Sequence, residues 1–315
     1  MSTYRVVFMG TPQFAQYHLQ SLIDDRRFEV VGVMTQPDRK SGRKMQLQPC
    51  PVKQLALQHG LPVVSPEKVN TEEVFEALAE WNADAAVVVA FGQILPQRFL
   101  DLYPQRVVNV HASLLPRWRG AAPIQRAIMA GDPETGVALQ VMVKQLDAGD
   151  VIGVRKILIT DDMSAVELHD ALMPLGAELL HEEFVDYLEG QLIPTSQDET
   201  LVTYASKIDK SEGLIDWTHS AKDISNKIRG LQLGPGTFTF TQGKMLKIHK
   251  AVIGSDETRS HHGQVLAVGS DGILIGCGHG TLKVLQVQPE SRARMNVADY
   301  LKGYTVNVGD QWGEQ

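Results

Sequence analysis

The sequence predicts an α/β protein, a mostly parallel sheet flanked by helices, followed by a small all-β domain. Two observations carry this. Over the first half, short apolar runs alternate with amphipathic helical patterns, the order that βαβ units produce. Past residue 236, the helical period gives way to short strand patterns separated by glycines, which suggests a small barrel.

Taken in order, the strand-like segments of the first part fall at 4–9, 28–35, 84–90, 106–111, 136–142 and 151–159. Helical patterns lie between and after them, near 12–24, 51–59, 71–81, 121–130 and 164–189. Pro12, directly after the first strand, suits the first turn of a helix, where its missing N–H costs nothing. Gly10-Thr11-Pro12 lacks the G-x-G-x-x-G spacing, so a dinucleotide loop is not expected. The polar, weakly periodic stretch from Gln191 to Thr200 reads as a linker. Beyond it, Ser220-Ala221-Lys222-Asp223 resembles a capping box that opens a short helix to Arg229. Strand patterns follow at 237–242, 245–253, 263–268, 272–277 and 281–288, punctuated by Gly236, Gly243, Gly263, Gly272 and Gly280. The expected division is a catalytic domain over 1–189, a linker over 190–207 and a β-domain over 208–315.

With 315 residues, 43% of them hydrophobic and 21% charged, the chain has the composition of a two-domain globular protein. No apolar run approaches the roughly 20 residues that a membrane span needs. The chain enters its first strand without a signal-like segment, and Cys50 and Cys277 are too few for a disulfide framework or a zinc site. A reducing cytoplasm and no metal are therefore expected. The net charge of −7 argues against a nucleic-acid partner, but it is uneven: residues 1–207 carry −8 and residues 208–315 carry +1. Phosphates respond to charge within about a Debye length of roughly 8–10 Å, so local basic clusters still count. Candidates are Arg39, Lys40, Arg43 and Lys44, then Lys244, Lys247 and Lys250, then Arg292 and Arg294.

The chemistry concentrates in Asn109-Val110-His111 and in Asp147, 27 residues past Gly120. Asn109 and His111 are two apart at the end of an apolar run, so on a strand their side chains leave one face. An amide and an imidazole aimed at one point suit a carbonyl oxygen that gains negative charge during attack. Asp147 can fix the imidazole tautomer or take part in proton removal. Taken singly, each is ordinary turn chemistry. The rigid loop through Pro116 to Gly120 favours a site.

These residues, with Ser113-Leu114-Leu115-Pro116 between them, resemble the signature of the folate-dependent formyltransferases. Co-linear matches run through Gly10-Thr11-Pro12-Gln13-Phe14, Val87-Val88-Val89-Ala90-Phe91-Gly92-Gln93-Ile94-Leu95-Pro96, Arg119-Gly120-Ala121-Ala122-Pro123 and Gln197-Asp198-Glu199-Thr200. The resemblance implies a Rossmann-like catalytic domain and an OB-like C-terminal domain. It also implies 10-formyltetrahydrofolate as co-substrate, initiator methionyl-tRNA as formyl acceptor, and a monomer. By that resemblance Asn109, His111 and Asp147 are catalytic, while Ser113, Leu114, Leu115, Pro116, Phe91, Gln93 and Ile94 line the folate site. The Gln36-to-Gln48 insertion corresponds to a mobile tRNA-binding arm, with Arg43 at the matching position and Arg39 and Lys44 beside it. This arm is less basic than the run usual in relatives, and Leu233-Gly234-Pro235-Gly236 departs from the family's Pro-Trp-Pro-Gly. Members acting on glycinamide ribonucleotide or an aminosugar nucleotide remain alternatives, as does a non-catalytic RNA-binding module. The first two would not need the arm, and the last leaves the polar trio unexplained.

Overall fold

The computed structural model describes residues 3–41, 46–255 and 261–313. In chain order it begins with β1 (Tyr4–Gly10), α1 (Gln13–Asp24), β2 (Phe28–Met34), β3 (Arg39–Ser41), β4 (Gln46–Gln48), α2 (Pro51–Gln58) and β5 (Val63–Val64). Next come α3 (Glu72–Trp81), β6 (Ala85–Val89), α4 (Gln97–Leu100), β7 (Val107–His111), β8 (Arg119–Gly120), α5 (Pro123–Ala130), β9 (Glu134–Val141) and β10 (Val151–Leu158). They are followed by α6 (Ala165–Glu182), α7 (Phe184–Leu188), β11 (Tyr204–Ala205), α8 (Ala221–Gly230), β12 (Thr237–Thr241) and β13 (Lys244–Ser255). The last are β14 (Val265–Gly269), β15 (Gly272–Gly276), β16 (Thr281–Pro289), β17 (Met295–Asn296) and α9 (Val297–Gly303).

The chain divides into two compact units that do not follow chain order. One runs to Gly120 and takes in Glu134–Ile157 and His169–Tyr204; the other holds Ala121–Pro133, Leu158–Leu168 and the chain from Ala205 onward.

The first unit is built on a seven-stranded sheet in the order β10-β9-β7-β6-β1-β2-β5. From β5 through β7 the pairings are parallel, and β9 joins β7 antiparallel. Val6, Val7, Phe8 and Met9 of β1 are wholly buried, as strands covered on both faces must be. The predicted strands and helices of this half are present within a few residues of their expected ends. Pro12 stands one position before α1, as its N-cap, rather than inside the first turn. The 164–189 helical pattern breaks into α6 and α7 at Glu183. The short elements β5 and α4 carry too few residues to show a period, and sequence patterning does not reveal them.

The predicted arm holds a hairpin, β3 against β4, with Arg39 opposite Gln48. Lys53 pairs with Asp38 at its base at 2.9 Å. Arg39 is exposed, while Arg43 and Lys44 lie outside the described residues.

The second unit carries a six-stranded antiparallel sheet, β12-β13-β16-β15-β14 with β17 on β16. β13 is twelve residues long, and its ladder with β16 shifts register in three places, each shift a point where a strand can bend around a core. That core holds Trp217 and Trp312, edge to face with ring centroids 6.4 Å apart, together with Ile224, Ile228 and Val287. Ser220 caps α8, its side chain accepting from the Asp223 N–H as the sequence predicts. Gly234 has φ 117°, where any L-residue is strained, so an aromatic at this position would require a different backbone. Among the described residues no helix is long and apolar enough to cross a membrane.

Candidate active site

β7 ends in the pair that the sequence singles out. Asn109 and His111 share a face, both nearly buried, and in the antiparallel register Asn109 lies opposite Gln140 and His111 opposite Ala138. The small Ala138 leaves space beside the imidazole, while Gln140 brings a second amide next to Asn109. The Asn109 side-chain amide meets no hydrogen-bond partner among the described residues. A buried amide in that condition is suited to a ligand oxygen.

Asp147 comes to the same point from the loop between β9 and β10. The Gly120 N–H donates to its Oδ2 at 2.8 Å, and the Gln140 Nε2 donates to its Oδ1 at 3.1 Å. Asp147 itself sits at φ 47°, one of the few non-glycine residues in the left-handed region. The loop approaches β9 so closely that a Cβ on Gly149 would lie 1.7 Å from the Val141 carbonyl oxygen. Only glycine fits there.

His111 differs from expectation in one respect. Its Nε2 is 2.9 Å from the Trp118 carbonyl oxygen, and its Nδ1 is 3.8 Å from Asp147 Oδ2, beyond hydrogen-bond reach. A carbonyl only accepts, so Nε2 carries the hydrogen and Nδ1 is the ring atom turned towards the carboxylate. The tautomer is thus set by a backbone carbonyl, with Asp147 nearby as a charge.

The predicted folate residues divide into two groups. Ser113 is buried and its hydroxyl donates to the Arg117 carbonyl at 2.6 Å, which shapes the loop that includes Leu114, Leu115 and Pro116. Leu115-Pro116 is a cis peptide. Phe91 is buried, and its carbonyl accepts from the Thr11 hydroxyl and the Gln36 amide. Both ends of the Gln93 amide are spent on the backbone, on the Val69 N–H and the Pro66 carbonyl. Ile94 is 90% exposed. A cavity of about 350 Å³ lies close by in sequence, lined by Leu100, Tyr103, Val107, Met142, Val143 and Lys144 among others. Its lining includes none of Phe91, Gln93 and Ile94. Burial pushes the Tyr103 phenol up to about 12, which keeps it neutral.

Sequence reasoning missed Gln140, Arg119, Gln197 and Thr203. Gln140 did carry a signal, as a lone polar residue in the apolar run Val137-Ala138-Leu139-Gln140-Val141. Arg119 is fully buried, and its guanidinium donates to the Gln197 Oε1 at 2.9 Å and to Glu199 Oε1 at 2.7 Å. No group of three or more His, Cys, Asp or Glu able to hold a metal occurs among the described residues.

An amide and an imidazole at the C-terminal end of a parallel strand, with a carboxylate from a neighbouring loop, are groups that could polarise a carbonyl for acyl transfer. The family models agree with this class. "Formyl transferase" matches residues 4–183, and "Formyl transferase, C-terminal domain" matches residues 207–305. The chain belongs to the formyl transferase family. It is 56% identical to the methionyl-tRNA formyltransferase of Bdellovibrio bacteriovorus, across 99% of this chain and 100% of that one. It is 43% identical to the methionyl-tRNA formyltransferase of Geobacter sulfurreducens, across 100% of this chain and 98% of that one. Among solved structures it is similar to HypX from Aquifex aeolicus in complex with tetrahydrofolic acid. That likeness has a TM-score of 0.63 at 18% identity, covering 98% of this chain and 51% of that one, and concerns the fold.

Proposed function

We propose that this chain transfers the formyl group of 10-formyltetrahydrofolate to the α-amine of methionine carried on initiator tRNA. The observation that carries the reading is the end-to-end identity of 56% with a relative named for that activity, with no large part of either chain left unmatched. The folate co-substrate supplies an activated formyl group on a nitrogen that can leave. The chain's own residues fit that task. Asn109 offers an uncommitted amide donor to the formyl oxygen as charge builds on it. His111 can donate to the same oxygen only when Nδ1 also carries a hydrogen, because its Nε2–H is held by Trp118. Asp147, its Oδ2 3.8 Å from Nδ1, faces the ring and can help take the proton lost by the amine. No covalent enzyme intermediate is needed, since a deprotonated amine is already a competent nucleophile.

In this reading residues 1–189 carry the folate site, 190–207 join the parts and 208–315 bind tRNA. The loop from Ser113 to Pro116, the segment with Phe91, Gln93 and Ile94, and the cavity beside Met142 and Val143 take the folate. Arg39, Arg43 and Lys44 of the arm meet the acceptor end. The enzyme acts as a monomer in the cytoplasm and without a metal; the isolated thiols Cys50 and Cys277 suit a reducing compartment. The test is product analysis with 10-formyltetrahydrofolate and three acceptors: charged initiator tRNA, glycinamide ribonucleotide and an aminosugar nucleotide. Formylation of the tRNA alone is expected. Preferential formylation of either small amine would overturn the assignment.

A further inference from the structure

Between Gln197 and Thr203 three side chains make contact with the loops beside the candidate catalytic pair. We propose that this stretch, which composition assigns to a linker, is a positioning clamp that fixes the tautomer of His111 and the backbone at Asp147. The proposal rests on the reading of His111 and Asp147 as the groups that act on substrate.

The argument begins at the Trp118 carbonyl. It accepts from His111 Nε2–H at 2.9 Å, and it belongs to the peptide group whose N–H is that of Arg119. In a trans peptide the C=O and N–H point in opposite directions. The Arg119 N–H donates to the Thr203 carbonyl at 2.9 Å, so Thr203 turns the Trp118 oxygen the other way, towards the imidazole. The preceding peptide is held as well, because the Trp118 N–H donates to the Thr203 Oγ1 at 2.9 Å. Both peptide groups flanking Trp118 are therefore gripped by one residue. They need to be, since Trp118 sits at φ 64°, a region costly for a bulky L-residue.

Gln197 does the same for Asp147. Its Nε2 donates to the carbonyls of Asp147 at 2.8 Å and Gly149 at 2.7 Å, which secures a residue at φ 47°. Its Oε1 accepts from Arg119 Nε at 3.0 Å, and Arg119 in turn is anchored by Glu199. Gln197, Glu199 and Thr203 thus reach the loop that sets the imidazole, and Gln197 also the loop that carries the carboxylate. A simple connection would leave Gln197 and Thr203 in solvent, whereas both are half-buried against these loops.

Three variants and one spectrum test the clamp. Thr203→Val removes the hydroxyl at nearly constant volume, and Thr203→Ser keeps it. Gln197→Glu replaces the donor that faces two carbonyls by an oxygen. In the native full-length enzyme, ¹⁵N spectra of the histidine ring should place the His111 hydrogen on Nε2. Thr203→Val leaves the main-chain bond to Arg119 but frees the Trp118 N–H, so Trp118 should relax from φ 64° and swing its carbonyl off the imidazole. The His111 hydrogen should then spread over both tautomers and kcat fall by about tenfold to a hundredfold, with KM for 10-formyltetrahydrofolate nearly unchanged. Thr203→Ser should restore both readouts, and Gln197→Glu should lower kcat alone. A native neutral His111 ring with its hydrogen on Nδ1 and none on Nε2 would overturn the proposal, whether or not the valine variant folds. So would a folded Thr203→Val with the native tautomer and native kcat. If His111→Ala keeps its activity, the site reading fails instead. An inactive His111→Ala beside fully active Thr203→Val and Gln197→Glu sinks the clamp alone.

Discussion

Asn109 and His111 show how a single residue's surroundings decide what it can do. An amide with no protein partner at the mouth of a site is free to meet a ligand, and an imidazole with one nitrogen committed to a carbonyl has only the other left for chemistry. Loss of an oxyanion donor commonly costs about 2.7–4 kcal/mol of transition-state stabilisation. Asn109→Ala and His111→Ala should each lower kcat about a hundredfold or more with folate affinity nearly intact, and Asp147→Asn should do comparable harm. Steady-state kinetics beside folate titrations check this; turnover above a tenth of the native value in either alanine variant would refute the oxyanion role. His18 poses a different question. Its ring is fully buried with Nδ1 on the Phe14 carbonyl at 2.7 Å, and burial lowers it from 6.5 to about 4. The unfolded chain therefore takes up a proton near pH 6.5 that the folded chain refuses until near pH 4. This contribution is complete above pH 6.5 and is lost as pH falls through that window, on the order of 2 kcal/mol by pH 5. Urea midpoints at pH 7 and pH 5 should show the loss, and His18→Leu should reduce it.

At the scale of elements, α6 packs against α1 beneath the site, and one glycine makes the approach possible. A Cβ on Gly176 would lie 2.2 Å from His18 Nε2 and 2.9 Å from Val110 Cγ1, between the two polar residues of β7. Gly176→Ala should cost about 1–3 kcal/mol of stability, as overpacking does, and should also reduce kcat because the displaced strand carries Asn109 and His111. Thermal melts and kinetics on one preparation would test both halves; a neutral melt would sink the idea. α8 offers the simpler case. Ser220→Ala removes its N-cap and should cost about 1 kcal/mol, read as a lowered Tm, without any change in kcat.

For the molecule as a whole, the acidic first part and the near-neutral remainder leave tRNA binding to local clusters. If Arg43 meets the acceptor end, Arg43→Ala should raise KM for Met-tRNA or lower its turnover, and should flatten the log–log salt slope by about one. Slow formyl loss to water should stay as it was. Equal kinetics and equal slopes would move the tRNA footprint onto the second unit. The order of strands and helices and a second domain of short strands could be read from the chain alone, and Asn109, His111 and Asp147 stood out there as candidates. Period-two and 3.6-residue patterns are local, and a dense co-linear motif set leaves little room for another family. Sequence did not disclose that Gln140 holds Asp147, since that depends on how the loop after β9 folds back onto the strand.

The sequence by itself determined which groups are the candidates for the chemistry and on what kind of sheet they stand, because residue type and periodicity are written locally. Only the tertiary structure decided where the proton of His111 sits and that the 197–203 stretch belongs to the site. The reason is physical: the two peptide groups flanking Trp118 are held by Thr203, 85 residues past Trp118 along the chain, and no local pattern encodes hydrogen bonds across that distance.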